Sequence, residues 1–259
     1  MAQTTTRTLV NRPAWVDLST TDAGAARDFY GRLFGWNLEL AEDPQYGGYA
    51  TAKLGDSSVG GIGPKQPGDT SPPAWSVYIG TDDVDALARK VQDEGGSVVA
   101  PAFDVGDQGR MAIFRDPVGA FISAWQGAQP GQFVLGIPNA FGWPELNARG
   151  LDRAIPFYER VFGWTHSESP YGEGQTYTQF EHDGQPIGGA LEMSPQIPAE
   201  TPSYWATYFT VDDVDAAFRK AVQLGGREMV APSDYPGGRF AIVSDPQGAA
   251  FGLMTIPQS

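Results

Sequence analysis

The octapeptide Phe29-Tyr30-Gly31-Arg32-Leu33-Phe34-Gly35-Trp36 returns as Phe157-Tyr158-Glu159-Arg160-Val161-Phe162-Gly163-Trp164, and this recurrence constrains the fold more than any other feature of the chain. The offset is 128 positions. Asp82-Asp83-Val84-Asp85-Ala86 returns as Asp212-Asp213-Val214-Asp215-Ala216 at an offset of 130, and Asp116-Pro117 with Gly119-Ala120 returns as Asp245-Pro246 with Gly248-Ala249 at 129. Matches that keep both order and spacing mark a duplication, because chance similarity preserves neither. The 259 residues therefore divide into two repeats, expected at 12–127 and 138–257, each long enough to bury a core of its own. Between them, 126–132 is rich in Gly, Gln, Ala and Pro and reads as a connection.

Each repeat divides again. Residues 15–19 read as a strand, and 22–34 then changes to helical spacing, with Ala26, Phe29, Tyr30 and Leu33 on one face and Gly35 as the stop. Strands are expected at 36–40, 49–54 and 58–62. The plan then repeats: a strand at 75–79, a helix capped by Asp82 and ended by Gly95-Gly96, and strands at 98–103, 110–114 and 121–125. The expected class is α+β, built from strand-helix-three-strand modules. The second repeat follows suit, although Pro156 falls inside the helix expected at 151–162, where it removes a backbone donor.

Composition excludes several functions. With 17 Lys and Arg against 31 Asp and Glu, the net charge of −14 opposes a phosphate backbone, so no nucleic-acid partner is expected. The chain has no cysteine, which removes disulfides, thiolate metal sites and cysteine nucleophiles. No segment has the length and apolarity of a membrane span, and the threonine-rich start lacks a signal-peptide apolar run, so a cytoplasmic protein without membrane association is expected. Gly60-Gly61-Ile62-Gly63 and Gly188-Gly189-Ala190 lack a Walker lysine or a strand-turn-helix setting, and are expected to make a tight bend or allow close backbone packing rather than to bind phosphate. No ATP, NAD or flavin cofactor follows, and no Gly-x-Ser-x-Gly turn points to a serine nucleophile.

Phe-Tyr-x-x-Leu/Val-Phe-Gly-Trp, Asp-Asp-Val-Asp-Ala and Asp-Pro-x-Gly resemble the vicinal-oxygen-chelate (VOC) superfamily of glyoxalases, bleomycin-resistance proteins and dioxygenases, in the tandem two-domain form seen among actinobacteria. The resemblance implies paired βαβββ modules whose sheets curve into a cup. It also implies where a metal would be held in metal-dependent relatives, on the opening strands of both modules and the closing strand of the second. Those positions carry Asp17, Ser76 and Ser123 in the first repeat and Glu145, Ala206 and Gly252 in the second. The only histidines, His166 and His182, are read as structural. One carboxylate per repeat is too few for a divalent site, so no metal is expected.

The remaining candidates suit recognition. Trp15, Trp36, Trp75, Tyr78, Phe103 and Trp125 in the first repeat, and Trp143, Trp164, Trp205, Tyr208 and Phe251 in the second, offer rigid apolar surface for a planar ligand or for the core. Asp17 and Glu145 follow a tryptophan on an opening strand, and with the aromatics rooted in the core they are expected on the opposite face. The candidate ligand-binding set is Asp17, Ser76, Ser123, Glu145, Trp36, Trp125 and Trp164. The expected function is metal-independent binding of a small, planar aromatic natural product in resistance or biosynthesis, at two sites of unequal specificity. The alternatives are a cofactor-independent isomerase, cyclase or lyase acting on a secondary metabolite, and a structural interaction protein with filled cups.

Overall fold

A computed structural model describes residues 9–128, 133–172 and 174–255. Met1–Thr8, most of the expected connection and the expected end of the second repeat at Pro257 lie outside the described residues.

The strand-helix-three-strand plan occurs four times. The first module runs β1 (Pro13–Thr20), α1 (Ala23–Phe34), β2 (Asn37–Leu40), β3 (Ala50–Leu54) and β4 (Ser57–Pro64), with a 3-10 turn at Pro44–Tyr46. The second runs β5 (Ala74–Gly80), α2 (Val84–Asp93), β6 (Ser97–Val105), β7 (Gly109–Arg115) and β8 (Phe121–Gly127). The second repeat supplies β9 (Phe141–Ala148), α3 (Leu151–Phe162), β10 (Thr165–Tyr171), β11 (Gln175–His182) and β12 (Gln185–Glu192). It then supplies β13 (Tyr204–Thr210), α4 (Val214–Gln223), β14 (Arg227–Tyr235), β15 (Gly238–Ser244) and β16 (Ala250–Met254). The fold is α+β, with two curled eight-stranded sheets ordered β2-β3-β4-β1-β5-β8-β7-β6 and β10-β11-β12-β9-β13-β16-β15-β14.

Local chemistry sets the helix limits. Asp22 and Asp213 accept from backbone amides at the starts of α1 and α4, and Gly35 ends α1 with φ at 75°. The cap of α2 is Asp83 rather than Asp82, because its carboxylate is the one that reaches the Ala86 amide. Helix α3 begins at Leu151, so Pro156 sits inside it. Its first amides are met from outside the helix: Glu192 accepts from Gly150 and Leu151.

The chain forms two compact units that do not follow the repeats. Among the described residues one comprises 9–15, 77–128 and 144–205, and the other 16–76, 133–143 and 206–255. Each unit thus joins a module from each repeat. In the second of these, Phe29, Tyr30, Phe34, Trp36, Trp75, Phe209 and Phe251 form one aromatic cluster. At its centre the Trp75 indole donates to the Tyr30 hydroxyl (3.0 Å), which donates to Asp245 Oδ2 (3.1 Å). In the other unit Trp205 donates to Tyr158 (2.8 Å) and Tyr158 to Asp116 Oδ2 (2.9 Å). Each aspartate also accepts backbone amides of its own Asp-Pro-x-Gly turn through Oδ1. Burial, then the adjacent carboxylate, pushes both phenols well above their usual pKa of 10.0. The motifs that carry the family resemblance are therefore buried polar chains that a Phe or Ala would leave unsatisfied.

Candidate functional site

Strand β9 alternates, with Leu146 and Ala148 in the core and Trp143, Glu145 and Asn147 on the other face. On β1, Val16, Leu18 and Thr20 are buried, while Trp15, Asp17 and Ser19 share the opposite face. The expectation that each carboxylate faces away from its neighbouring tryptophan needs correction: residues i and i+2 of a strand share a face, and Trp15 and Trp143 are not core residues.

Glu145 is only 9% exposed. It pairs in parallel register with Gly189 of β12, and Gln179 of β11 pairs with Gly189 in turn. A Cβ on Gly189 would collide with the Tyr177 hydroxyl, so the absent side chain lets the Tyr177 ring cross the sheet. Its hydroxyl donates to Glu145 Oε2 at 3.2 Å, while the Asn147 amide donates to Oε1 at 3.3 Å. Tyr171 lies 5.7 Å from Tyr177 between ring centroids, at 41°. Tyr204 opens β13 and is 39% exposed. Burial first, and the negative charge of Glu145 second, raise the pKa of both Tyr171 and Tyr204. All of these residues belong to one compact unit. The carboxylate accepts from a phenol and an amide, and a second phenol ring, Tyr171, lies against the first.

The first repeat has a reduced version. Asp17 pairs with Gly61 of β4, and a Cβ on Gly61 would collide with the Tyr49 hydroxyl. Tyr49 and Tyr177 each precede their glycine by twelve positions, a signal present in the sequence that would have singled out both tyrosines. The glycine segments thus serve close packing, and the partner is a tyrosine ring. Ala74 occupies the position of Tyr204, and Asp43, at the position of Tyr171, caps the 3-10 turn instead of extending a strand.

The other candidates fall in two environments. Ser123 is buried on β8 opposite Tyr78 of β5, and Trp125, half-buried, shares its face. Half-buried Ser76 shares the Tyr78 face of β5. Trp36 and Trp164 instead stand in the core, 5% and 4% exposed, stacked on Tyr30 and Tyr158. Their indoles donate to the carbonyls of Asn139 and Asn11, two residues with positive φ at equivalent places in the repeats. Among the described residues no three His, Asp or Glu side chains gather as a metal-binding group. Gly252 cannot receive a carboxylate where it stands, because the Tyr208 ring fills the space of its Cβ. A metal centre of the kind known in this fold does not fit these donors. Open depressions of about 400 and about 260 Å³, lined by Asp213 and Lys220 and by Asp83 and Lys90, contain neither Asp17 nor Glu145.

Duplicated βαβββ modules with a carboxylate on each opening strand define the class: the chain belongs to the Glyoxalase/Bleomycin resistance protein/Dioxygenase superfamily, whose model matches residues 12–123 and 140–253. It is 43% identical to "Putative glyoxylase CFP32" of Mycobacterium tuberculosis over 93% of this chain and 94% of that one. It is also 36% identical to "Anthracycline biosynthesis protein DnrV" of Streptomyces peucetius over 97% of this chain and 95% of that one. Among solved structures, the Mn(II)-bound glyoxalase from Novosphingobium aromaticivorans superposes with a TM-score of 0.65 at 17% identity, covering 96% of this chain and 83% of that one, a likeness of fold. No helix of the described residues is long and apolar enough to cross a membrane.

Proposed function

We propose that the protein binds a planar aromatic natural product without a metal, in a resistance or biosynthetic role, and that Asp17 and Glu145 are the polar anchors of two unequal sites. The observation that carries this reading is the Glu145 face: a nearly buried carboxylate held by Tyr177 and Asn147, with the Tyr171 ring against that of Tyr177. Such a face offers flat contact area together with one oriented charge, which is what fixes a ring system in one pose. The relative named for anthracycline biosynthesis supports an aromatic natural product as the ligand class.

Calorimetric titration of a panel of planar aromatic metabolites, in the presence of a chelator, tests the reading. Saturable binding that weakens in Glu145→Gln, with a separate and different loss in Asp17→Asn, is the expected result. No saturable binding across the panel, or binding abolished by the chelator, overturns it. The position of Glu145 against the Tyr177 hydroxyl also favours a second reading, in which the carboxylate moves a proton in a cofactor-independent isomerisation, cyclisation or elimination. Product formation without added metal or cofactor, lost in Glu145→Gln, separates catalysis from binding.

A further inference from the structure

We infer that the face of β7 and β8 carrying Trp125, Ser123 and Arg115 takes a planar polycyclic acid, its rings against Trp125 and its carboxylate on the Arg115 guanidinium. The inference rests on the binding reading above and narrows the ligand to an acid. In the register of β7 and β8, Arg115 stands opposite Phe121, Ile113 opposite Ser123 and Met111 opposite Trp125, so the side chains of these residues share one face. Ala112, Phe114, Ile122 and Ala124 alternate with them and fill the core on the other side. The shared face is the more open one: Phe121 is 48% exposed and Trp125 half-buried, with the small Ser123 buried between them.

One end of this face is a flat ring and the other a cation. Gly109 opens β7, and a Cβ there would come within 3.0 Å of the Trp125 indole, so the absent side chain lets the ring lie close over the strand. At the far end the guanidinium carbon of Arg115 lies 4.7 Å from the centroid of the Phe121 ring. A ring face holds a guanidinium flat and leaves its N–H edge to a partner, and that planar fork of donors matches a carboxylate through two parallel hydrogen bonds. Arg110, on the same strand, is taken up by Asp85 and Asp104. Arg115 forms no ion pair among the described residues, in a chain with 31 Asp and Glu against 17 Lys and Arg. From Phe121 to Trp125 the face runs about 13 Å along β8, so a single ring is too short to meet both ends and a linear tricyclic acid is not. The second repeat lacks both ends. Ser244 stands at the position of Arg115, Ala250 at that of Phe121 and Met254 at that of Trp125, while the Tyr208 ring lies over Gly252 where the first repeat has Ser123. Arg115 is therefore the residue that selects an acid, and its exposure leaves it free to change without disturbing the core.

The test uses two fluorescent probes of one shape, anthracene-2-carboxylate and its uncharged amide, titrated with the full-length protein at neutral pH and read by anisotropy. The acid is expected to bind about fivefold to tenfold tighter than the amide, a preference that Arg115→Gln removes and Arg115→Lys restores only in part. Trp125→Ala is expected to weaken both probes about threefold to tenfold. Arg89→Gln removes the same charge from an exposed site on α2 and should leave both titrations as they are. Equal binding of acid and amide, both weakened by Trp125→Ala, or a preference that Arg89→Gln lowers as much as Arg115→Gln, would sink the acid inference while sparing the binding face. Failure of both probes to titrate, or titrations indifferent to Arg115→Gln and Trp125→Ala alike, would sink the site on β7 and β8, and leaves the reading of Asp17 and Glu145 to its own titrations. Matched thermal midpoints of the variants and the parent protein ensure that a loss reports the side chain and not the fold, with Trp125→Leu in place of Trp125→Ala where the alanine variant does not fold.

Discussion

The two buried polar chains and the two carboxylate faces descend from the same duplication, yet they have fared differently. Trp75-Tyr30-Asp245 and Trp205-Tyr158-Asp116 use the same residue types with bond lengths that agree within 0.2 Å. The faces share a carboxylate and a tyrosine over a glycine, and differ at almost every neighbour: Asp17 against Glu145, Ser19 against Asn147, Ala74 against Tyr204. A buried polar group has few tolerable partners, whereas a half-open face tolerates many. The divergence therefore lies on the faces proposed to choose ligands.

The strongest way to break the likeness of the buried chains is to remove one acceptor. Asp116→Ala and Asp245→Ala should each cost about 3 kcal/mol or more, since each strands a phenol and two turn amides. Urea unfolding of both variants checks this, and a large loss from only one would show that the two chains are not equivalent. Next in size are the glycines under the rings. Gly189→Ala and Gly61→Ala should each cost about 1 to 3 kcal/mol by displacing Tyr177 or Tyr49. The cost of Gly189→Ala should shrink when Tyr177 is also cut to Ala, which a double-mutant cycle measures.

The tyrosines of the buried chains also make stability pH-dependent. In the unfolded chain they ionise near 10.0, while the native state holds them neutral well above that value. Their contribution is complete below pH 10.0 and is lost as pH rises further, by about 1.4 kcal/mol per pH unit for each group. Tyr30→Phe/Tyr158→Phe should be less stable at neutral pH but decline less steeply in alkaline thermal melts. The smallest expected effect sharpens a core difference between the repeats. Thr207 is 1% exposed, and its hydroxyl has no hydrogen-bond partner among the described residues, where the first repeat has Val77. Thr207→Val should raise the urea midpoint, corresponding to a gain of up to about 1 kcal/mol.

Much of the fold was legible because the apolar periodicities of four modules agree with one another, and even Pro156 did not displace α3. The site was legible in part. Asp17 and Glu145 are found on a shared-face pattern, but Tyr177 reaches Glu145 across 32 positions through the pairing of β11, β12 and β9, which strand patterns alone do not reveal. Trp36 and Trp164 look like any exposed aromatic in sequence; only the stack on Tyr30 and Tyr158 and the asparagine carbonyls make them structural. The pairing of Tyr30 with Asp245 was equally hidden, because each repeat carries both a tyrosine and an aspartate of the required kind.

That crossed pairing bears on how such a chain can be shuffled in evolution. Tyr30 finds its acceptor 215 positions away in the other repeat, and Tyr158 finds its own 42 positions back across the connection. Exchanging one whole repeat for that of a distant cousin would put foreign partners into both cores at once. A crossover that moves a matched pair of modules, one from each repeat, keeps Tyr30 with Asp245 and Tyr158 with Asp116, and exchanges only the tryptophan donors, Trp75 on β5 and Trp205 on β13. Recombination should therefore respect pairs of half-repeats, and the repeat visible in the sequence is not the part that travels intact.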